Sequence, residues 1–215
     1  MSTKTTLSIS LILVAAALIV AAVLWGRLPD PMPSHWNAAG EIDGYMSKFW
    51  GVFLMPIITA VLLPLFMVIP RIDPLKANIA QFRGIYNLFI VFFTAYMVYI
   101  YGLTMAAALG YEFNMTSMLL PVVGLLFVGA GYLMKKAKRN FFIGIRTPWT
   151  LTNDEVWDKT HQLGSKLFIA GGVITVFSAF LGEYSIWVML PVMLIAAFVP
   201  IIYSYILFAR IEKSR

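Results

Sequence analysis

Apolar residues run in six long blocks along the chain, and polar residues collect between them. The blocks cover approximately residues 7–25, 51–69, 85–109, 115–134, 166–182 and 186–208. Each is close to the roughly 20 residues that a helix needs to cross a bilayer. The runs are continuous and lack the period-two alternation of barrel strands. The pattern predicts an all-α polytopic membrane protein with six transmembrane helices. The fifth block is the shortest and richest in glycine, so its ends are the least sharply bounded.

Composition narrows the classes further. Of 215 residues, 60% are hydrophobic and 12% charged. A soluble domain carries roughly 25% charged residues. Disorder needs low hydrophobicity and high charge, and is excluded. The absence of cysteine excludes disulfide scaffolds and thiolate metal sites. Charge then orients the spans. With the N-terminus inside, 14 of the 16 Lys and Arg residues lie in inner segments, and only Arg27 and Lys48 lie outside. Basic residues concentrate in cytoplasmic loops, so both termini are expected to be cytoplasmic. The expected location is the plasma membrane, with multiple passes. The net charge of +6 is a topology signal that suits anionic headgroups of the lipid bilayer. It is not a nucleic-acid footprint, and no direct nucleic-acid binding is expected. The first block has a short basic start and small residues such as Ala15, Ala17, Ala21 and Ala22, as a secretory signal has. Its apolar run exceeds the ~7–15 residues of a signal core, and it reads as an uncleaved anchor.

Three units follow. Residues 1–70 form a two-span unit with an outer loop at 26–50. Residues 71–114 hold a middle span and its flanking loops. Residues 115–215 hold an inner loop at 135–165 and the last two spans. The span interiors are almost free of ionisable groups, which ion-coupled transporters place at mid-membrane. The polar groups there include Thr94, Tyr96, Tyr99 and Tyr101. A cavity lined by these four would suit the alternative reading, a small-molecule or lipid transporter. Gly124, Gly129 and Gly131 in the fourth block, with Gly171, Gly172, Ser178 and Gly182 in the fifth, allow close helix approach. Spans four and five are therefore expected to be packed neighbours.

Two loops carry most of the remaining chemistry. In the outer one, Pro29, Pro31 and Pro33 stiffen an extended path. Asn37 to Gly40 and Asp43-Gly44 are turn chemistry, with glycines free to adopt positive φ. Trp36 and Tyr45 suit a membrane–water interface. His35, Asn37, Glu41 and Asp43 are too few in strong ligands for a metal site, which needs three or four convergent donors. The plain reading is that His35 and Asn37 cap turns and Asp43 holds the Asp-Gly turn. A peptide-sensing face would comprise Pro33, His35, Trp36, Asn37, Gly40, Asp43, Gly44 and Tyr45.

The inner loop is denser in signals. Thr152-x-x-Glu155 reads as a capping box, with a helix starting near Asn153. Val156, Trp157, Thr160, His161 and Gly164 then recur at helical spacing and define one face directed at protein or lipid. The run Phe141 to Ile145 is too short to span and is expected along the interface. Arg146 is expected on backbone carbonyls or on Asp154 or Glu155. Asn140, Gly144, Arg146, Thr147, Pro148, Trp149, Thr150, Trp157, Thr160 and His161 serve either as a locking cap for spans four and five or as a docking surface for a cytoplasmic protein. One surface can do both. No catalytic constellation, Walker motif or dinucleotide glycine pattern is present, so no enzyme, cofactor or metal is expected.

The run Asn140-Phe141-Phe142-Ile143-Gly144-Ile145-Arg146-Thr147-Pro148-Trp149-Thr150-Leu151, followed by Val156-Trp157 and Thr160-His161, resembles the signature of the SdpI family. The outer Pro33-Ser34-His35-Trp36-Asn37, Gly40 and Asp43-Gly44 pattern resembles the domain of unknown function that commonly precedes it. The resemblance implies a six-span membrane immunity protein, protecting its cell from a secreted toxin peptide that kills by attacking membranes. It also implies a signalling role, in which the toxin-engaged protein retains a cytoplasmic helix-turn-helix repressor at the membrane.

Overall fold

The computed structural model describes residues 1–213. Arg215, one of the basic residues counted inside, lies outside them. Six long helices dominate: α1 (Thr3–Leu24), α2 (Lys48–Ile72), α3 (Lys76–Ala108), α4 (Met115–Lys136), α6 (Asp154–Ser178) and α7 (Ser185–Lys213). A short helix α5 (Pro148–Thr152) precedes α6. Five helical stretches are long and apolar enough to cross a membrane, and the last, Asp154–Lys213, contains both α6 and α7. These two are divided by a 3-10 turn, Ala179–Tyr184, in which Gly182 adopts φ 57°. The protein is an all-α membrane protein with one small addition. That addition is a hairpin of β1 (Met32–Trp36) and β2 (Ile42–Met46) inside the first connection.

The first helix is placed by a narrow stripe of mostly small or polar residues. In α1 the buried positions are Thr6, Ser10, Val14, Ala17 and Ala21, spaced as one helical face. This face lies on α3, where Thr94 Oγ1 is 3.4 Å from Ser10 Oγ. The start of the chain is tied to the same helix, since Asn87 Nδ2 donates to the Met1 carbonyl at 3.1 Å. Without a hydrophobic force between helices in lipid, close packing and such bonds decide who neighbours whom.

The α4–α6 contact is tightest. A Cβ on Gly124 would overlap the Gly172 carbonyl, and one on Gly172 would overlap the Gly124 carbonyl. Gly131 meets Ser165 and Ile169 in the same antiparallel crossing. The expected pairing of the fourth and fifth spans is therefore observed. Gly129 departs from it and faces Phe89 and Phe92 of α3. α7 runs back along α6, with Gly171 on Val192 and Gly164 on Pro200. One core cluster joins Leu63, Ile79, Phe82, Tyr86 and Ile90 to Leu133, Ile143 and Trp157. A second, beneath the hairpin, joins Ala17, Ala21, Leu28, Met32, Val52, Tyr101 and Met105.

Candidate functional site

The residues between α4 and α6 fold into a cap at the end of the bundle that also holds the chain start and the α2–α3 turn. Asn140 is fully buried and organises the first turn. Its Oδ1 accepts the N–H groups of Phe142 and Ile143 at 2.9 and 2.6 Å, and its Nδ2 donates to the carbonyls of Lys138 and Ile143, both at 2.9 Å. Four bonds exhaust the side chain's capacity, so this irregular backbone is fully satisfied. Asp73, at the C-terminus of α2, anchors the turn from below. Its two oxygens accept the N–H groups of Leu75 at 2.6 Å and Phe141 at 2.8 Å. Asn78 Nδ2 adds a bond to the Arg139 carbonyl at 2.8 Å.

The second part of the cap is held by α6. His161 Nε2 accepts the Ile145 N–H at 3.0 Å, and Nδ1 faces the Trp157 carbonyl at 2.8 Å. An acceptor Nε2 and a donor Nδ1 define the neutral Nδ1–H tautomer. The Trp157 ring stacks on the imidazole at 3.9 Å, and its Nε1 donates to the Ala137 carbonyl at 3.0 Å. Gly144 adopts φ 110° directly against His161 Nε2, where a Cβ would collide. Val156, Trp157, Thr160, His161 and Gly164 are all buried, so the face they share turns to protein and not to lipid.

Thr147 and Thr150 close the segment. Thr150 N–H bonds the Thr147 hydroxyl and Thr147 N–H bonds the Thr150 hydroxyl, at 3.2 and 2.9 Å. This capping box starts α5, with Pro148 in its first turn, where proline's missing N–H costs nothing. Thr147 Oγ1 also meets Ser204 Oγ of α7 at 3.0 Å, and Trp149 packs on Tyr205 of α7 with ring centroids 5.0 Å apart. The cap thus touches α2, α3, α4, α6 and α7.

Three details correct the sequence expectations. The expected Thr152–Glu155 capping box does not form. Asn153 caps α6 instead, accepting from the N–H groups of Glu155 and Val156 at 2.9 and 3.1 Å, while Thr152 bonds back to the Pro148 carbonyl. Asn and Thr are both strong caps, and Asn153 takes the position because the Thr152 hydroxyl is already bonded within α5. Arg146 binds the Phe141 carbonyl at 2.9 Å, one of its expected options, but Asp154 is paired with Arg139 at 2.7 Å and Glu155 with Lys159 at 2.7 Å. The Phe141–Ile145 run divides, with Phe141 and Phe142 exposed and Ile143 buried in the core. Asn140, Thr147, Thr150, Trp157, Thr160 and His161 are buried, Trp149 is half-buried, and Gly144, Arg146 and Pro148 remain exposed.

At the opposite end the hairpin brings together residues that the sequence left apart. His35 Nδ1 contacts Asp43 Oδ1, and His35 is aligned with Gly44. Register shifts flank His35, which is how bulges re-aim side chains. Asp43-Gly44 lies within β2 and does not form the expected turn. The turn is Asn37–Gly40, closed by Glu41 N–H on Asn37 Oδ1 at 3.0 Å and Gly40 N–H on the Asn37 carbonyl at 2.9 Å, with Gly40 at φ 83°. Pro33 and Gly40 are buried, Trp36, Asn37 and Gly44 half-buried, and His35, Asp43 and Tyr45 exposed. The tip docks on the α3–α4 link, where Asn114 Nδ2 donates to the Ala39 carbonyl at 2.6 Å and Thr116 Oγ1 to the Ala38 carbonyl at 3.3 Å. Lys48 pins the base through the Leu28 carbonyl at 2.8 Å and lies over the Trp25 ring.

Among the described residues, no cluster of three or more His, Asp or Glu is placed to hold a metal. The four residues that the alternative transporter reading would place around one cavity, Thr94, Tyr96, Tyr99 and Tyr101, meet separate neighbours. Thr94 bonds the Ile90 carbonyl at 2.9 Å on the α1 side, Tyr96 packs near Phe93, Tyr99 donates to Met118 of α4 at 3.1 Å, and Tyr101 is buried with Val14, Ala17 and Met55. The four point to different neighbours. Asp73 and Asn78 are structural members of the cap that the motif did not include. A carboxylate directly before Pro74, in the short link between two apolar helices, is their sequence signal.

Both loop regions of the chain fall within matches to known families. Residues 136–204 match the SdpI/YfhL protein family, and residues 12–60 match a domain of unknown function, DUF1648. The first match spans the cap, α6 and α7 as far as residue 204, and the second spans the later part of α1, the hairpin and the first half of α2. No solved structure matches. The chain is similar to "Immunity protein SdpI" of Bacillus subtilis (strain 168), being 30% identical over 209 residues, which cover 96% of this chain and 98% of the relative. With the cap, the hairpin and nearly the full length aligned to that relative, the chain belongs to the SdpI/YfhL protein family.

Proposed function

We propose that the protein is a membrane immunity protein that protects its cell from a secreted killing peptide. The observation that carries the proposal is the near full-length similarity to a protein named for immunity. Two ordered, polar-decorated ends joined by weakly polar spans support it. In this reading the basic end is cytoplasmic, because the segments that the sequence assigns to it carry 14 of the 16 Lys and Arg residues. Both termini then lie inside. The hairpin faces out, and its exposed edge of His35, Asp43 and Tyr45 meets the peptide. Trp36 and Tyr45 suit the headgroup layer there.

The cap is the signalling side. Its exposed Gly144, Arg146 and Pro148, with the half-buried Trp149, form a compact rim on an otherwise locked segment. A cytoplasmic helix-turn-helix repressor would dock there when peptide is bound. Neither step needs bond chemistry, so the protein acts by binding and not as an enzyme. Expression in a peptide-sensitive strain tests the main proposal, with survival as the readout. Repressor recruitment to the membrane by wild type, but not by Arg146→Ala or Trp149→Ala, tests the signalling half.

A further inference from the structure

A half-open apolar cleft of about 330 Å³ lies beneath the cap. Its walls come from four helices: Phe66 and Ile69 of α2, Phe89 of α3, Ala130 of α4 and Phe168 of α6, among others. Its roof is the backbone stretch Phe142 to Ile145. The volume is at the lower end of ligand pockets, roughly 300–1,000 Å³. An apolar void left empty forfeits dispersion contacts along its whole lining.

The rim has the opposite character. Arg146 follows the roof directly, and its guanidinium is fixed on the Phe141 carbonyl at 2.9 Å, at the other end of the roof. Arg83 lies over the ring of Tyr86, a wall residue, with Cζ 5.7 Å from the centroid. Asp73, which reaches the edge of the roof at Phe141, is already taken up by two backbone N–H groups. An apolar slot with one guanidinium bonded next to its roof and a second lying over a wall residue while its Nε donates to Asn87 is complementary to an amphiphile with an anionic head. Arginine in particular matches phosphate oxygens.

We propose that this cleft holds one acyl chain of an anionic phospholipid, with its phosphate at the Arg146–Arg83 rim. The occupant comes from the surrounding bilayer and is distinct from the killing peptide and from any cytoplasmic partner. Because the roof is the segment hung on His161, an occupied cleft braces the cap from below.

Native mass spectrometry tests this on the full chain. The protein is released from micelles containing phosphatidylglycerol, phosphatidylethanolamine and a free fatty acid, all with the same tail. Wild type should retain a single phosphatidylglycerol in preference to the other two. Ala130→Phe, or the milder Ala130→Leu, fills the cleft and should lose the lipid while keeping the elution position and melting behaviour of wild type. Arg146→Gln should keep the lipid but lower the preference for the anionic head by about fivefold. Leu125→Trp, in a separate α3–α4 groove, should retain it. Equal retention of all three amphiphiles, unchanged retention in a folded Ala130 variant, or loss in Leu125→Trp would each overturn the proposal.

Discussion

The imidazole of His161 carries the backbone of Ile145, since Nε2 accepts its N–H at 3.0 Å across sixteen residues of sequence. Nδ1 returns its proton to the Trp157 carbonyl one turn back, at 2.8 Å. One side chain thus fastens the irregular cap to the first turns of α6. It can do so only as a neutral ring, because an imidazolium would turn Nε2–H against another N–H.

The tautomer is directly observable. In ¹⁵N-labelled protein at neutral pH, the His161 ring should show a protonated Nδ1 and an unprotonated Nε2. An Nε2–H ring would contradict the geometry. His161→Ala leaves the Ile145 N–H without its partner, at a cost of about 1–3 kcal/mol, and removes the ring on which Trp157 stacks. A clear fall in melting temperature in detergent is expected.

Gly144 makes a sharper case. Its φ of 110° and the contact with His161 both exclude a Cβ. Gly144→Ala should destabilise the cap by about 1–3 kcal/mol from backbone strain alone. Gly26→Ala has open space around it and should melt like wild type. Equal melting of the two variants would remove the Gly144–His161 contact from the account.

The α4–α6 crossing depends on facing glycines. Gly124→Val or Gly172→Val drives a side chain into the opposite backbone and should separate the two helices, seen as lost monodispersity or low yield. Gly102→Ala meets nothing within 4 Å and should be neutral or slightly stabilising, because alanine restricts the unfolded chain. Normal yield from both valine variants would show that the crossing is looser than described.

At the other end, Asn114 both caps α4 and holds the hairpin tip. Asn114→Ala should cost about 1 kcal/mol in the lost cap and expose the hairpin to limited proteolysis. His35→Ala breaks an exposed pair, which contributes little to stability. It should leave melting unchanged and lower resistance to the peptide. Lower melting with full resistance would reverse the two roles assigned to the hairpin.

Hydropathy made the spans legible because lipid demands long apolar helices and leaves few alternatives. The α4–α6 pairing was legible from Gly124 and Gly172, and the common face of α6 from Val156 to Gly164. The hairpin was not. Its β1 contains Pro33, and its Asp43-Gly44 pair mimics a turn, so local chemistry pointed away from strands. Its bulges around His35 and its docking on Asn114 are tertiary decisions. Asn153 displaced Thr152 as the cap of α6 because α5 already occupied the Thr152 hydroxyl. Asp73 was hidden for a similar reason, since its partner Phe141 is 68 residues away.

The measurement closest to the central claim is survival of peptide-sensitive bacteria expressing this chain, with membrane insertion verified in the same cells. Survival through an otherwise lethal dose of secreted killing peptide, lost in His35→Ala cells that carry equal amounts of protein, is the predicted result. Death at the wild-type dose despite full insertion would contradict the immunity function.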